Sequence, residues 1–262
     1  MLAHAQLRAA APLPVAAPSA KGRSGRRPGC RLTLVRDAAP FAFRATPEAV
    51  YLVGTAASPV GDDDISLEIE VEAGATLCVR AAASMIAWAS TGSSLEITVR
   101  VGPGGHLDWH LPPLIASSSC RFFQLVKADL AAGATMRWAE EIVLGRHGEP
   151  PGRLGLRLDV DYDAAPLLRH QLELGPGVVG WDGPAVLGAN RAAGLVLVAG
   201  RTPTTAPGVR AAPNVRDATA PTAGPGWAKM ALEGPGSLVS AIGPDILSMR
   251  SALAQALCEQ GG

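Results

Sequence analysis

Apolar and polar residues alternate along the central part of the chain, in segments separated by turns that contain glycine. One pattern occurs three times, over residues 69–79, 98–109 and 126–138. Each copy has apolar residues two apart, then a glycine turn, then apolar residues two apart again. Because successive side chains of a strand point to opposite faces, this alternation predicts half-buried β-strands. The chain is therefore predicted to be mainly β.

The three turns carry Gly74, Gly104 and Gly133, which lie about 30 residues apart. Glycine supplies the positive φ that a tight reversal needs. This spacing predicts stacked strand–turn–strand repeats, a β-solenoid or β-helix-like architecture in which each unit covers the apolar face of its neighbour. An ordinary β-sandwich built of hairpins would give the same pattern, so the pattern alone leaves both architectures open.

Further strands are predicted outside the three copies, and the chain ends in a different pattern. Period-two or buried apolar segments occupy residues 31–35, 49–53, 65–71, 140–144, 154–160, 167–174, 193–199 and 227–232. After Pro244, the residues Ile246, Met249, Leu253 and Leu257 recur at helical spacing. We therefore expect one or two helices near the C-terminus.

Two segments rich in proline mark the expected limits of the fold. Residues 1–28 begin with alanine and with Pro12, Pro14 and Pro18, and they lack the basic start of a signal peptide. This composition predicts a disordered N-terminal extension. Residues 29–262 are predicted to form a single β-rich domain. Within it, residues 202–226 carry five prolines with little periodicity and predict a mobile loop.

Composition excludes several classes of function. The 262-residue chain is 48% hydrophobic and has a formal net charge of zero, so no overall field draws it to nucleic acid or to an anionic membrane. Only 4% of its residues are aromatic, which argues against a base-stacking surface. No apolar run is long enough for a membrane helix. The four cysteines form no CxxC pair, so a cytoplasmic protein is expected.

The sequence contains one local group of metal-ligand residue types. It has no phosphate-binding GxxxxGK[ST] loop and no GxSxG nucleophile turn. On a strand, however, His106, Asp108 and His110 would share one face, and imidazole with carboxylate suits zinc or nickel. Such a site would make a metal-dependent hydrolase on a β scaffold. The alternative is an exposed polar strand face, because neighbours two apart on a flat strand rarely converge on one ion.

An ordered set of short motifs resembles the urease accessory protein UreD (UreH) family. In chain order, the segments that carry this resemblance are Gly61-Asp62-Asp63, residues 68–75, residues 81–84, residues 103–109, residues 112–115, Trp138-Ala139-Glu140 and Leu144-Gly145-Arg146. The match spans roughly residues 31–174. Departures at Asp62, residues 84–86, Asp108 and Ala139 indicate a divergent, short member of that family.

The resemblance implies a helical stack of strands and a function that is not catalytic. Proteins of this family bind urease apoprotein and a complex of UreF with the GTPase UreG, and they assist nickel delivery to the urease active site through an internal passage. The resemblance also implies transient nickel without a tightly bound cofactor, and a dimer formed through the accessory complex. Neither nucleic acid nor membrane is an expected partner.

Two carboxylates are carried over from the family pattern as residues near that passage. They are Asp63, the aspartate of the glycine turn, and Glu140, six residues before Arg146. Weak, successive oxygen and imidazole ligands suit an ion that must be passed on, because a closed site of high affinity would trap it. The alternative is that both carboxylates only accept hydrogen bonds from backbone donors at turns.

Overall fold

The computed structural model describes residues 1–11, 31–201, 209–211 and 225–258. The described residues form eighteen strands and one C-terminal helix. The strands are β1 (Leu2–Ala10), β2 (Arg31–Arg36), β3 (Phe41–Ala45), β4 (Val50–Gly54), β5 (Asp64–Val71), β6 (Thr76–Ala81), β7 (Met85–Ala87), β8 (Ser93–Val101), β9 (His106–His110), β10 (Leu114–Ala116), β11 (Arg121–Leu130), β12 (Thr135–Leu144), β13 (Arg153–Tyr162), β14 (Ala165–Leu174), β15 (Ala192–Ala199), β16 (Val209–Ala211), β17 (Gly226–Ala231) and β18 (Gly236–Gly243); the helix is α1 (Ile246–Cys258).

The three predicted repeats form the stacked coils of a β-solenoid. The first strands of the repeats, β5, β8 and β11, pair in parallel in one sheet, which we call sheet A. The second strands, β6, β9 and β12, pair in parallel in the facing sheet, sheet B. Each glycine turn therefore joins a strand of sheet A to a strand of sheet B. In a hairpin, by contrast, the two strands on either side of the turn would pair with each other. The predicted fold class is confirmed, and the sandwich of hairpins is not what the chain forms.

Close stacking of the turns explains their glycines. Gly74, Gly104 and Gly133 have φ values of 67°, 65° and 75°, a region that other residues adopt only at a cost. The amide of Gly74 donates to the carbonyl of Pro103 in the next coil at 3.0 Å. At Gly102, an added Cβ would lie 2.9 Å from the backbone nitrogen of Ala73 in the neighbouring turn. The corner of the solenoid thus depends on residues without side chains.

One continuous core fills the space between the two sheets. The inward positions of β5 are all buried, and so are the corresponding positions of β8, β9 and β13. Sheet A runs in the order β14-β13-β11-β8-β5-β1-β2, and sheet B in the order β16-β17-β18-β15-β12-β9-β6-β4-β3. Antiparallel strands therefore close both ends of the parallel stack.

The N-terminal segment belongs to this core, so the prediction of a disordered extension is wrong for its first part. Strand β1 pairs in parallel with β5 and antiparallel with β2. Its inward residues Ala3, Ala5, Leu7 and Ala9 are buried. The sequence alternates there as in the other strands, but its alanine-rich composition is also typical of a disordered segment. Residues 12–28 of the predicted extension lie outside the described residues.

The C-terminal part of the chain completes both sheets and covers the outer face of sheet B. Strands β13 and β14 form the predicted hairpin, with positive φ at Asp163 and Ala164. Within the predicted loop at 202–226, strand β16 pairs with β17, while residues 202–208 and 212–224 lie outside the described residues. Helix α1 packs over β15 and β18, and it is the helix that was predicted near the C-terminus. None of the helical residues described here forms a segment long and apolar enough to span a membrane.

Candidate functional site

The wall of the solenoid is interrupted in sheet B, where the short strands β7 and β10 form a side branch of that sheet on β12. Strands β6 and β9 end at Ala81 and His110, and β7 and β10 begin only at Met85 and Leu114. Strand β12 is continuous: it pairs with β9 as far as Ala139, and with β10 from Ile142 onward. The prolines Pro112 and Pro113 lie in the gap, because neither can donate to a ladder.

A cavity of about 340 Å³ lies against this gap and reaches the opposite wall. Most of its lining is apolar and comes from both sheets, as Leu67, Leu95, Ile97, Trp109, Leu114, Ile142 and Leu156 illustrate. The polar or ionisable side chains in the lining are Ser58, Ser84, Gln124, Glu140 and Glu141. A cavity of this size and composition is typical of a binding site.

Glu140 is the carboxylate of β12 that lies among inward-facing residues. Its neighbours two residues away, Trp138 and Ile142, are both buried in the core. The Nε2 group of Gln124 and the indole Nε1 of Trp138 each donate to Oε1 of Glu140 at 2.8 Å. Burial raises the pKa of Glu140 to about 7, although these two donors oppose the rise. Near neutral pH this carboxyl group can therefore both hold and release a proton.

A stacked pair of indoles holds one of these donors in place. Trp138 lies directly opposite Trp109 in the β9–β12 ladder, and their ring centroids are 4.7 Å apart with an interplanar angle of 4°. Both indoles are almost fully buried. Because stacked rings in a packed core have little freedom to turn, the N–H of Trp138 stays directed at Glu140.

Glu141, the next residue along β12, forms an ion pair with helix α1. Its carboxylate accepts hydrogen bonds from Nε of Arg250 at 3.0 Å and from Nη2 at 2.6 Å. Nε2 of His110 lies 3.8 Å from Oε1 of Glu141. Burial raises the pKa of Glu141, but the nearby His110 and the hydrogen-bonded Arg250 outweigh this and leave the pKa below its ordinary value. Glu141 is therefore an ionised anchor for the helix.

Asp63, the other predicted passage carboxylate, lies in the turn before β5 and is buried. It accepts hydrogen bonds from the Met1 amino group at 2.8 Å, from the Ser58 hydroxyl at 2.7 Å and from the Val60 amide at 3.0 Å. Burial raises the pKa of Asp63, but these donors outweigh it, and the pKa falls below its ordinary value. Since Ser58 lines the cavity and donates to Asp63, Asp63 holds one edge of the cavity in place. Both carboxylate oxygens of Asp63 already accept hydrogen bonds.

The structure places His106, Asp108 and His110 on one face of β9, as predicted, but each has a different partner. Asp108 lies between two arginines, with Nη2 of Arg80 at 2.5 Å and Nη1 of Arg137 at 3.4 Å. His106 hydrogen-bonds Thr135 through Nδ1 at 2.8 Å. Across the described ranges, no group of three or more His, Cys, Asp or Glu residues is placed to hold a metal ion. This arrangement does not support the hydrolase hypothesis.

Gln124, Trp138 and Arg250 were not predicted as site residues from the sequence, although Gln124 could be recognised. Gln124 occupies an inward position of β11 between Phe122 and Val126, where alternation demands an apolar side chain. Glu140 breaks the apolar inward pattern of β12 in the same way. Two polar residues at core positions are unfavourable unless they pair with each other. Arg250 lies 109 residues from Glu141, and no local pattern connects the two.

A family model and several known proteins are similar to this chain. A family model described as "UreD urease accessory protein" matches residues 20–260. The chain is 35% identical to "Urease accessory protein UreD" of Frankia casuarinae, over 95% of this chain and 82% of the relative. It is 38% identical to the protein of the same name from Parafrankia sp., over 85% and 81%. It is 36% identical to "Urease accessory protein UreD 3" of Streptomyces griseus, over 89% and 91%.

Proposed function

The chain belongs to the UreD family of urease accessory proteins, and from this premise we propose that it is a scaffold that binds urease apoprotein and the UreF–UreG complex during urease maturation. The family is one of maturation factors rather than enzymes. The observation that carries this proposal is the match to the UreD family over residues 20–260. The rigid stack of parallel coils supports it, because such a stack offers broad, flat faces to other proteins.

The second part of the proposal is that nickel, the cargo, passes through the cavity and contacts Glu140. A single carboxylate in a mainly apolar wall is a weak ligand for a divalent ion, and weak ligands favour passage over trapping. In this proposal Glu140 contacts the ion, and Asp63 keeps the turn that carries Ser58 against the cavity. Cys78, Cys120 and Cys258 are free thiols, which is consistent with a cytoplasmic protein.

The proposal is tested by co-expressing the chain with urease apoprotein, UreF and UreG, and by measuring co-elution and the nickel content of urease. The wild-type chain should elute with its partners. Glu140→Gln keeps the shape of the side chain and removes its charge, so it should still co-elute. Nickel delivered to urease should fall by about tenfold or more. Glu96→Gln is the matched control, because Glu96 lies on the outer face of β8 and pairs with Lys127.

The two parts of the proposal fail separately. If the wild-type chain is not retained with any partner at micromolar concentration, the scaffold role is wrong. If urease matured with Glu140→Gln carries as much nickel as urease matured with the wild type, the passage through this cavity is wrong while the scaffold role stands.

A further inference from the structure

The cavity has far more apolar wall than the contact with an ion requires. Its volume of about 340 Å³ falls in the range of small-molecule sites, roughly 300–1,000 Å³. Leucine and isoleucine side chains of both sheets contribute to a mainly apolar lining, together with alanines and the indole of Trp109. A hydrated metal ion gains nothing from such surfaces, whereas the apolar body of an organic molecule gains free energy on leaving water. The walls therefore match a ligand with an apolar body.

One polar atom of this cavity is available to orient such a ligand. Oε1 of Glu140 accepts both the amide of Gln124 and the indole of Trp138. Oε2 accepts no hydrogen bond from any residue that the structure describes. The side chain of Glu140 lines the cavity and is only partly buried, so the N–H of a bound ligand would donate to a charged acceptor there. Because both donors bind the same oxygen, they hold the carboxylate in one orientation.

The other polar groups of the lining do not compete for this role. Glu141 is bound to Arg250 of helix α1, and the Ser58 hydroxyl donates to Asp63. Arg146, which lies over the ring of the lining residue Trp88, is held by Glu149 on the surface. A negative, hydrogen-bond-accepting Glu140 favours a cationic donor and repels an anion.

We propose that this cavity binds a small organic ammonium ion with an aromatic or branched alkyl body, whose N–H group donates to Oε2 of Glu140. The apolar body lies against the leucine and isoleucine walls, and no covalent step is involved. This binding does not rest on the proposed passage of nickel, because it needs only the cavity and its carboxylate.

Benzylamine is a suitable probe, and its binding can be measured by titration calorimetry on the full chain at about pH 8. At that pH an alkylamine is protonated and carries the positive charge that a carboxylate binds. We expect a Kd of about 0.1–1 mM, which is ordinary for so small a ligand. Benzyl alcohol and benzoate have the same ring without the positive charge. Each should bind about tenfold more weakly or worse.

Two variants and a control locate the bound amine. Glu140→Gln should weaken benzylamine binding by about tenfold, and Glu96→Gln on the outer face of β8 should leave it unchanged. Ala83 lies in the exposed segment between β6 and β7 and lines the cavity, so Ala83→Trp should obstruct entry and weaken binding while Glu140 is intact. Circular dichroism of each variant confirms that it has folded.

Three outcomes would overturn the inference. They are the absence of heat up to about 10 mM benzylamine, equal affinity of the wild type and Glu140→Gln, and binding of benzoate as tight as that of benzylamine. None of them bears on the delivery of nickel to urease, which is measured with partner proteins and without amine. The inference and the proposed function therefore fail independently.

Discussion

At the scale of single residues, Glu140 has the most perturbed environment of the candidate site. Its ordinary pKa of 4.5 is raised to about 7 in the folded protein, so between these two pH values the folded state holds a proton that the unfolded state has lost. The free energy of unfolding must then fall as pH rises from about 4.5 to about 7. A carboxyl group retained at such a position lowers stability at neutral pH.

Replacing Glu140 by glutamine should remove this loss of stability. Glu140→Gln keeps an acceptor for Gln124 and Trp138 but has no charge to bury. We expect little change at about pH 5 and a stabilisation of about 2 kcal/mol at about pH 8, or roughly 4–8 °C in Tm. Thermal unfolding at both pH values measures the difference. Equal effects at the two pH values would mean that Glu140 ionises freely in the folded protein.

The sequence predicted Glu140 as a candidate residue but could not predict its surroundings. The family pattern identified this carboxylate, and a polar residue at an inward position is visible in the strand pattern. Gln124 belongs to a different strand, and its contact with Glu140 depends on how sheets A and B face each other. For His106, Asp108 and His110 too, the surroundings could not be predicted. Their spacing predicted a shared strand face, but the arginines of β6 and β12 that bind Asp108 lie on other strands.

At the scale of elements, helix α1 is fixed to sheet B by close packing and by one ion pair. An added Cβ at Gly243 of β18 would lie 2.6 Å from the backbone nitrogen of Met249, so the helix backbone rests directly on the strand. Arg250 reaches from the same helix to Glu141, whose side chain is 4% exposed. The helix thus covers the outer side of the strand that carries Glu140 on its inner side.

Arg250→Met should leave the Glu141 carboxylate buried without its strongest partner. The cost of breaking a fully buried pair is about 3–5 kcal/mol, but Arg250 is 44% exposed and water screens part of the interaction. We therefore expect a loss of about 2 kcal/mol in urea unfolding at neutral pH. Lys127→Met is the control, because both partners in the Lys127–Glu96 pair are exposed, and it should cost less than about 1 kcal/mol. Equal losses would show that α1 does not depend on this pair.

The elements themselves were largely predictable, and their pairing was not. Glycines about 30 residues apart predicted three repeats, and β15, the β13–β14 hairpin and α1 lie close to their predicted positions. Alternation predicts which side chains of a strand share a face, but it does not predict which strands pair with each other. The sequence therefore could not distinguish parallel coils from hairpins. Strand β1 was missed because alanine has low strand propensity, although its inward alanines are buried in the core.

At the scale of the whole molecule, the cavity lies where strands of the solenoid wall are interrupted. Strand β12 passes this point of sheet B without a break, while the strands of the two preceding coils stop and restart beside it. The segments between them, including Pro112, leave space that side chains do not fill. The site is thus a property of three coils together, which explains why no single motif in the sequence describes it.

Because the coils share one core and both ends are closed by antiparallel strands, the described fold should unfold in a single step. Leu77 in the first coil and Leu158 near the other end are both fully buried. Leu77→Ala and Leu158→Ala should each cost about 2–5 kcal/mol. For each variant, circular dichroism and tryptophan fluorescence, to which Trp109 and Trp138 contribute, should give coincident transitions. If one variant separates the two transitions, the coils are instead stabilised independently, as in long repeat arrays.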